Sequence, residues 1–165
     1  MKTNQDILAV RAARFAKKHA AASQDLEAIL LFQRGGFRYA LSDSSLREAR
    51  ALRNACPIPG ASPTIPAALH YRGEIISLHD IRPFLSGAVD SQAAWVLVVQ
   101  VGNDTFGLLA DELIGNVNLT ADDLQPVPVT LGALGACFRG VFDSDVLLID
   151  TPALAAAPGF FDAFS

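Results

Sequence analysis

The second half of this chain echoes its first at a fixed offset of 67 residues. Gln33, Gly35, Leu41, Leu46, Leu52 and Pro59 reappear as Gln100, Gly102, Leu108, Leu113, Leu119 and Pro126. The dipeptide Arg72-Gly73 reappears as Arg139-Gly140, and Tyr39 and Tyr71 are echoed by Phe106 and Phe138. Between these identities, Ile29-Leu30-Leu31-Phe32 answers Val96-Leu97-Val98-Val99. A constant offset without gaps implies one structural unit built twice. Two copies are too few for a stacked solenoid and suit two similar subdomains packed face to face.

Length and composition then decide how independent the copies are. A unit of about 67 residues is marginal alone, because small domains bury a smaller share of their surface. With 51% of the 165 residues apolar and 18% charged, the chain can fill a large core. The two copies are therefore expected to depend on each other. The net charge of −4 argues against a nucleic-acid binder, which needs a basic surface over phosphate. The charge is uneven: residues 1–20 carry Lys2, Arg11, Arg14, Lys17 and Lys18 against Asp6, leaving −8 for the remainder. No apolar run approaches the roughly 20 residues that span a bilayer. The polar start Met1–Asp6 followed by Ile7–Val10 is too short for a secretory core. A basic, amphipathic start is also compatible with a mitochondrial presequence. With no export signal, Cys56 and Cys137 are expected to be reduced thiols.

Residues 5–22 read as a helix, with Leu8, Ala12, Phe15 and His19 on one stripe and the basic residues around the rest. The simplest reading is a solvated helix docked by a narrow stripe, and the alternative is a partner- or membrane-surface helix. The texture then changes to strands. Residues 28–33 and 38–41 flank the turn Arg34-Gly35-Gly36-Phe37, and residues 94–101 and 105–110 flank Gly102-Asn103-Asp104. The run Trp95–Val99 has no polar residue and is expected to be buried on both faces. Residues 73–80 form another strand, and 141–150 a hairpin turning at Asp143-Ser144-Asp145. One segment is in conflict with itself. Ser45-Leu46-Arg47-Glu48 matches a helix capping box, yet its echo holds Gly115, Asn116 and Val117, so strand or irregular chain is preferred. Pro57, Pro59, Pro63 and Pro66 mark surface connections excluded from a central sheet. At the end, Phe160, Phe161 and Phe164 either dock on the body or form an exposed patch, and docking is preferred.

The motifs of catalysis are missing. The chain has no G-x-S-x-G elbow, no phosphate-binding glycine loop and no H-E-x-x-H. His79 and Asp80 adjoin on a strand and point to opposite faces, so they do not chelate one metal together. Cys56 and Cys137 lack a C-x-x-C partner and read as structural. Asp122-Asp123 read as a solvated cap, and Asp111-Glu112 as a structural strand end.

What remains is a twice-built β unit containing the string Leu69-His70-Tyr71-Arg72-Gly73-Glu74-Ile75-Ile76-Ser77-Leu78-His79-Asp80-Ile81-Arg82. This string resembles the CheW family, the coupling proteins of bacterial chemosensory arrays. The resemblance covers about residues 27–155. It is supported by Tyr39-Ala40-Leu41 ahead of Leu46-Arg47-Glu48, by Pro63, by the run Phe106 to Gly115, by Phe138-Arg139-Gly140-Val141 and by Leu147–Asp150. Five such matches in order and at matching spacing are far more specific than any one.

The resemblance implies a mainly β fold of two five-stranded SH3-like barrels around a shared hydrophobic core. The expected divisions are a basic N-terminal helix (1–26), a CheW-like domain (27–155) with echo units about 28–90 and 94–151, and a tail (156–165). It implies no enzymatic activity, cofactor or metal. It implies a cytoplasmic adaptor at the receptor array, linking the tips of methyl-accepting chemoreceptors to the regulatory domain of a CheA-type histidine kinase. Partner-binding candidates carried over are Glu48, Arg72, Gly73, His70, Ala67 and Leu46, with Gly107, Gly140 and Arg139 as structural residues. Glu48 and Arg72 are expected to pair and brace the first barrel near the receptor groove. On the alternative reading, Arg72 only orders its own turn, with Gly73 permitting close backbone approach. Arg139 has no matching acid, since the echo of Glu48 is Gly115. Ala67 and His70 depart from the family's usual glycine and asparagine. These departures leave room for an adaptor of the same fold in a specialised chemosensory or pilus-motility pathway with a different partner. A small hydrolase using His70, His79 or Asp80 is the remote third possibility.

Overall fold

The protein is described here by a computed structural model over residues 25–162. The expected helix over 5–22, its basic cluster and Phe164 lie outside the described residues. Eleven strands are present among those described. They are β1 (Glu27–Arg34), β2 (Phe37–Ser42), β3 (Leu46–Ala51), β4 (Cys56–Pro57), β5 (Ala67–Tyr71), β6 (Glu74–His79), β7 (Trp95–Val101), β8 (Asp104–Ala110), β9 (Glu112–Leu119), β10 (Phe138–Phe142) and β11 (Val146–Ile149). One short helix, α1 (Thr151–Ala155), follows, with Asp150 capping it by accepting from the Ala153 N–H.

The strands form two sheets, β10-β11-β2-β1-β9 and β3-β7-β8-β6-β5-β4. The echo is real in structure: β1, β2 and β3 correspond to β7, β8 and β9. The first turn of each unit is built on Gly35-Gly36 and on Gly102-Asn103. Gly35 and Gly36 both have positive φ (61° and 84°), the geometry of a two-residue hairpin turn. However, sequence units and sheets do not coincide. The third strand of each unit leaves its own hairpin: β3 pairs with β7, and β9 pairs with β1. The later hairpins follow, so β6 runs parallel to β8 and β11 parallel to β2. Each sheet thus combines a hairpin of one unit with the remaining strands of the other, which is why neither unit can close alone. The second sheet has six strands rather than five, because the two-residue β4 adds an edge, and Pro57 is tolerated there.

The burial of β7 follows from this topology. Val96, Leu97, Val98 and Val99 are all fully buried. Leu97 and Val99 enter a central core with Phe32, Tyr39, Leu41, Phe106, Leu108 and Ile149, which both sheets share. Val96 and Val98 face a second core with Leu69, Ile76, Leu78 and Leu109. A third core, with Ile29, Ala40, Leu119, Val146 and Leu148, lies on the other face of the first sheet. The period of two sends alternate residues to alternate cores.

The conflicted segment is strand. Leu46–Ala51 pairs with β7, and Leu46 and Ala49 pack on the central core. Pairing and burial outweigh the local helix signal. Within the described part of the tail, Phe160 docks on the body and is fully buried in the central core, while Phe161 is 42% exposed. Among the described residues, no helix is long and apolar enough to cross a membrane.

Candidate functional site

Two charged constellations stand out, one exposed and one buried. The exposed one joins β3 to the β5–β6 turn. Arg72 sits in that turn with φ of 48°, a conformation costly for a residue with Cβ, and Gly73 follows at 85°. The Arg72 guanidinium lies 5.2 Å from the centroid of the Tyr71 ring and its Nη2 is 3.7 Å from Glu48 Oε2. Stacking on Tyr71 and the reach toward Glu48 hold the side chain over its own turn, yet it remains 75% exposed. Such a pair contributes at most about 1 kcal/mol, so its charges remain available to a partner. His70 is exposed and pairs in register with Ile75, an isoleucine that is 78% exposed. Leu46 and Ala67 instead turn inward, the first on the central core and the second on the core beneath β5 and β6. Of the six partner-binding candidates, Glu48, His70, Arg72 and Gly73 present surface, and Leu46 and Ala67 support it.

The Arg139 comparison needs correction. Arg139-Gly140 is not a second arginine-glycine turn, because it lies inside β10, at a register irregularity. The connection before β10 (residues 120–137) is longer than its counterpart before β5 (52–66), so the constant offset ends there, and the equivalent turn falls at Asp143-Ser144. Nor is Arg139 without an acid. Its Nη1 donates to Glu27 Oε1 at 2.6 Å, and this bond holds the Glu27 carboxyl below its usual range. The acid comes from the start of β1, which no sequence offset could indicate. Gly140 and Gly107 are close-approach positions. A Cβ at Gly107 would lie 2.6 Å from both Leu78 Cδ2 and Val96 Cγ2, and one at Gly140 would lie 2.8 Å from the Gln125 carbonyl oxygen.

The buried constellation lies at the seam between the sheets. Arg34, at the end of β1, is 2% exposed. Its Nε and Nη2 donate to Asp80 Oδ1 and Oδ2 at 3.1 and 2.8 Å, a bidentate fork. Its Nη1 donates to Asp111 Oδ1 at 2.5 Å and to the Ser91 carbonyl at 3.1 Å. Asp111 Oδ2 also accepts from the Gly35 N–H at 2.9 Å and from Ser91 Oγ at 2.6 Å. Asp80 additionally accepts from Arg82, whose Nη1 reaches Asp90 at 2.8 Å. Burial pushes the Asp80 carboxyl upward, but the Arg34 and Arg82 hydrogen bonds outweigh it and hold it below the usual range. Burial likewise raises Asp111, and Ser91, Arg34 and the Gly35 N–H bring it below. In the sequence Arg34 belongs to the turn signal Arg34-Gly35-Gly36-Phe37, and the one pointer to its role is a charge directly after the apolar run Ile29–Phe32 and Gln33.

His79 and Asp80 do point apart. His79 enters an aromatic cluster, 4.3 Å from the Phe160 ring and 5.2 Å from Phe106 between centroids. Its Nε2 is 2.7 Å from Ser77 Oγ. Burial lowers its pKa to about 4, with the Phe160 backbone opposing in part. This serine–histidine pair has no acid orienting the ring and no open space beside it. The cleft next to Asp80, about 400 Å³ and lined by Pro63, Arg82, Leu85, Val89 and Asp90, contains neither His70 nor His79. Among the described residues, no three His, Cys, Asp or Glu side chains gather as a metal site would require. Cys56 is exposed and Cys137 buried, both as free thiols.

This two-sheet architecture matches a solved structure and a family model. The model of the CheW-like domain matches residues 28–158. The crystal structure of the scaffolding protein TtCheW from Thermoanaerobacter tengcongensis superimposes with a TM-score of 0.66 at 19% identity, over 78% of this chain and 86% of that one. No curated protein matches in sequence. With the family model spanning most of the chain, and the fold agreeing independently, this protein belongs to the family of CheW-like domains.

Proposed function

We propose that this chain is a non-enzymatic coupling protein of bacterial chemotaxis-type signalling. It links the cytoplasmic tip of methyl-accepting chemoreceptors to the regulatory domain of a CheA-type histidine kinase. The observation that carries this reading is the surface set Glu48, His70, Arg72 and Ile75 on a family scaffold whose buried charges Arg34 and Asp80 are already paired with each other. Exposed charges that pair weakly with each other can exchange that pairing for a partner's groups, setting register and specificity. Ile75 beside them supplies apolar contact area. The protein then works on the cytoplasmic side, at the receptor array. Calorimetry with the kinase regulatory domain encoded in the same genome tests this. Micromolar or tighter binding is expected, weakened by Arg72→Glu with the circular dichroism spectrum unchanged. No binding to any such domain overturns it. In that case, the exposed His70 and half-buried Ala67 in the same hairpin favour the second reading, an adaptor of this fold for a specialised chemosensory or pilus-motility pathway. Affinity purification with the natural partner set would show that.

A further inference from the structure

Arg34 does more than neutralise buried acids. Its four donated bonds go to three separate pieces of the chain: the end of β6 (Asp80), the β8–β9 junction (Asp111) and the connector between the echo units (Ser91). Arg34 itself belongs to the first sheet, while β6 and β8 belong to the second. The neighbouring bonds converge on the same seam. Asp111 N–H donates to the Gln33 carbonyl at 2.7 Å, and Val89 N–H to the Gly35 carbonyl at 2.9 Å. Arg82 lies so close to the β1–β2 turn that a Cβ on Gly35 would be 2.7 Å from its Cγ and Cδ. Connector residues 86–94 thus bridge the seam, bonded to the first sheet's β1–β2 turn at Val89 and to the second sheet at the far end, where the Ala94 N–H donates to the Ala110 carbonyl at 2.9 Å. The seam otherwise depends on the central core, whose packing is apolar and non-directional. A planar fork with fixed donor directions supplies the orientation that apolar packing lacks.

We propose that Arg34 is the positioning residue that fixes the angle between the two sheets, holding both sheets and the 86–94 connector on one guanidinium. Resting on the coupling function proposed above, this angle fixes how the Glu48–Arg72 surface of the second sheet is presented relative to the first sheet. The clamp itself is tested on the protein alone, so its failure is distinguishable from failure of the coupling reading.

Spin labels at Cys56, on β4 of the second sheet, and at Asn118→Cys, exposed on β9 of the first, report the distance between sheets in a Cys137→Ala background. The wild-type Arg34 protein is expected to give one narrow distance distribution. Arg34→Met is expected to broaden or shift it. In Arg34→Met, the Val89 and Asp111 amides should exchange at least about tenfold faster than the β1–β2 and β7–β8 ladder interiors, which follow global unfolding alone. Arg34→Lys keeps the charge and the fold but not the fork, so it should show the same local acceleration to a smaller degree. An unchanged distance distribution overturns the proposal. So does exchange of the seam amides at the same free energy as the ladder interiors, which is global unfolding alone. So does an Arg34→Lys protein indistinguishable from wild type, which would mean that charge alone suffices.

Discussion

Replacing Arg34 by methionine keeps the apolar stem of the side chain, ends near the position of Nε, and removes the guanidinium with its charge and donors. The side chains of Arg34 and Asp80 are 3% and 4% exposed, and that of Asp111 is 16% exposed. Breaking a buried pair by removing one partner costs about 3–5 kcal/mol, because the remaining charge stays desolvated. Here Asp80 retains Arg82, and Asp111 retains the Gly35 N–H and Ser91 Oγ. The expected cost therefore sits at the low end, about 3 kcal/mol. With a denaturant slope of about 2–3 kcal/mol per molar urea, the unfolding midpoint falls by roughly 1–1.5 M. Arg72→Met is the control: its pair with Glu48 is long and exposed, so the change stays below about 1 kcal/mol. The pH dependence adds a second check. Both carboxyls are held below their usual value of 3.8, so their contribution is present above that pH and disappears as pH falls through it and below. The gap between wild type and Arg34→Met should then narrow in acid. An Arg34→Met loss no larger than that of Arg72→Met refutes the view that the seam is held by buried charge.

His79 is buried with its pKa lowered from 6.5 to about 4, so the folded state binds its proton less readily than the unfolded chain. Stability should fall as pH drops from about 6.5 toward 4, by on the order of 3 kcal/mol, and His79→Phe should flatten that slope in pH-dependent urea melts. Gly107→Ala should cost about 1–3 kcal/mol in the same assay, since its Cβ meets Leu78 and Val96 at 2.6 Å from two sides of a filled core. Phe160→Ala should cost about 3–5 kcal/mol, because its ring is fully buried against His79 and Phe106; a loss under 1 kcal/mol would mean that the tail does not belong to the core.

The parts of the fold legible in the sequence were those written in local pattern. Short apolar runs and turn glycines located β1, β2, β7 and β8, and the uncharged run Val96–Val99 announced a strand buried on both faces. The echo also resolved the capping-box segment as strand. It did not reveal the exchange of β3 and β9, because pairing partners are chosen by tertiary packing, and either strand has the same sequence whichever hairpin it joins. The offset misled once, at Arg139, where a longer preceding connection moved an identical dipeptide from a turn into a strand. At the candidate site, the string around Arg72 identified the exposed pair, while the seam network stayed hidden. Its members Arg34, Asp80 and Asp111 are 46 and 77 positions apart from Arg34 onward, and only the fold brings them together.

The proposed coupling function requires the chain to bridge two partners rather than bind one. The direct measurement is analytical ultracentrifugation of the protein with a receptor cytoplasmic tip and a CheA-type regulatory domain, singly and together. A ternary species containing all three is expected, absent when this chain is omitted and reduced by Arg72→Glu. Two partners that compete for the chain and never sediment together with it would overturn the proposed bridging role.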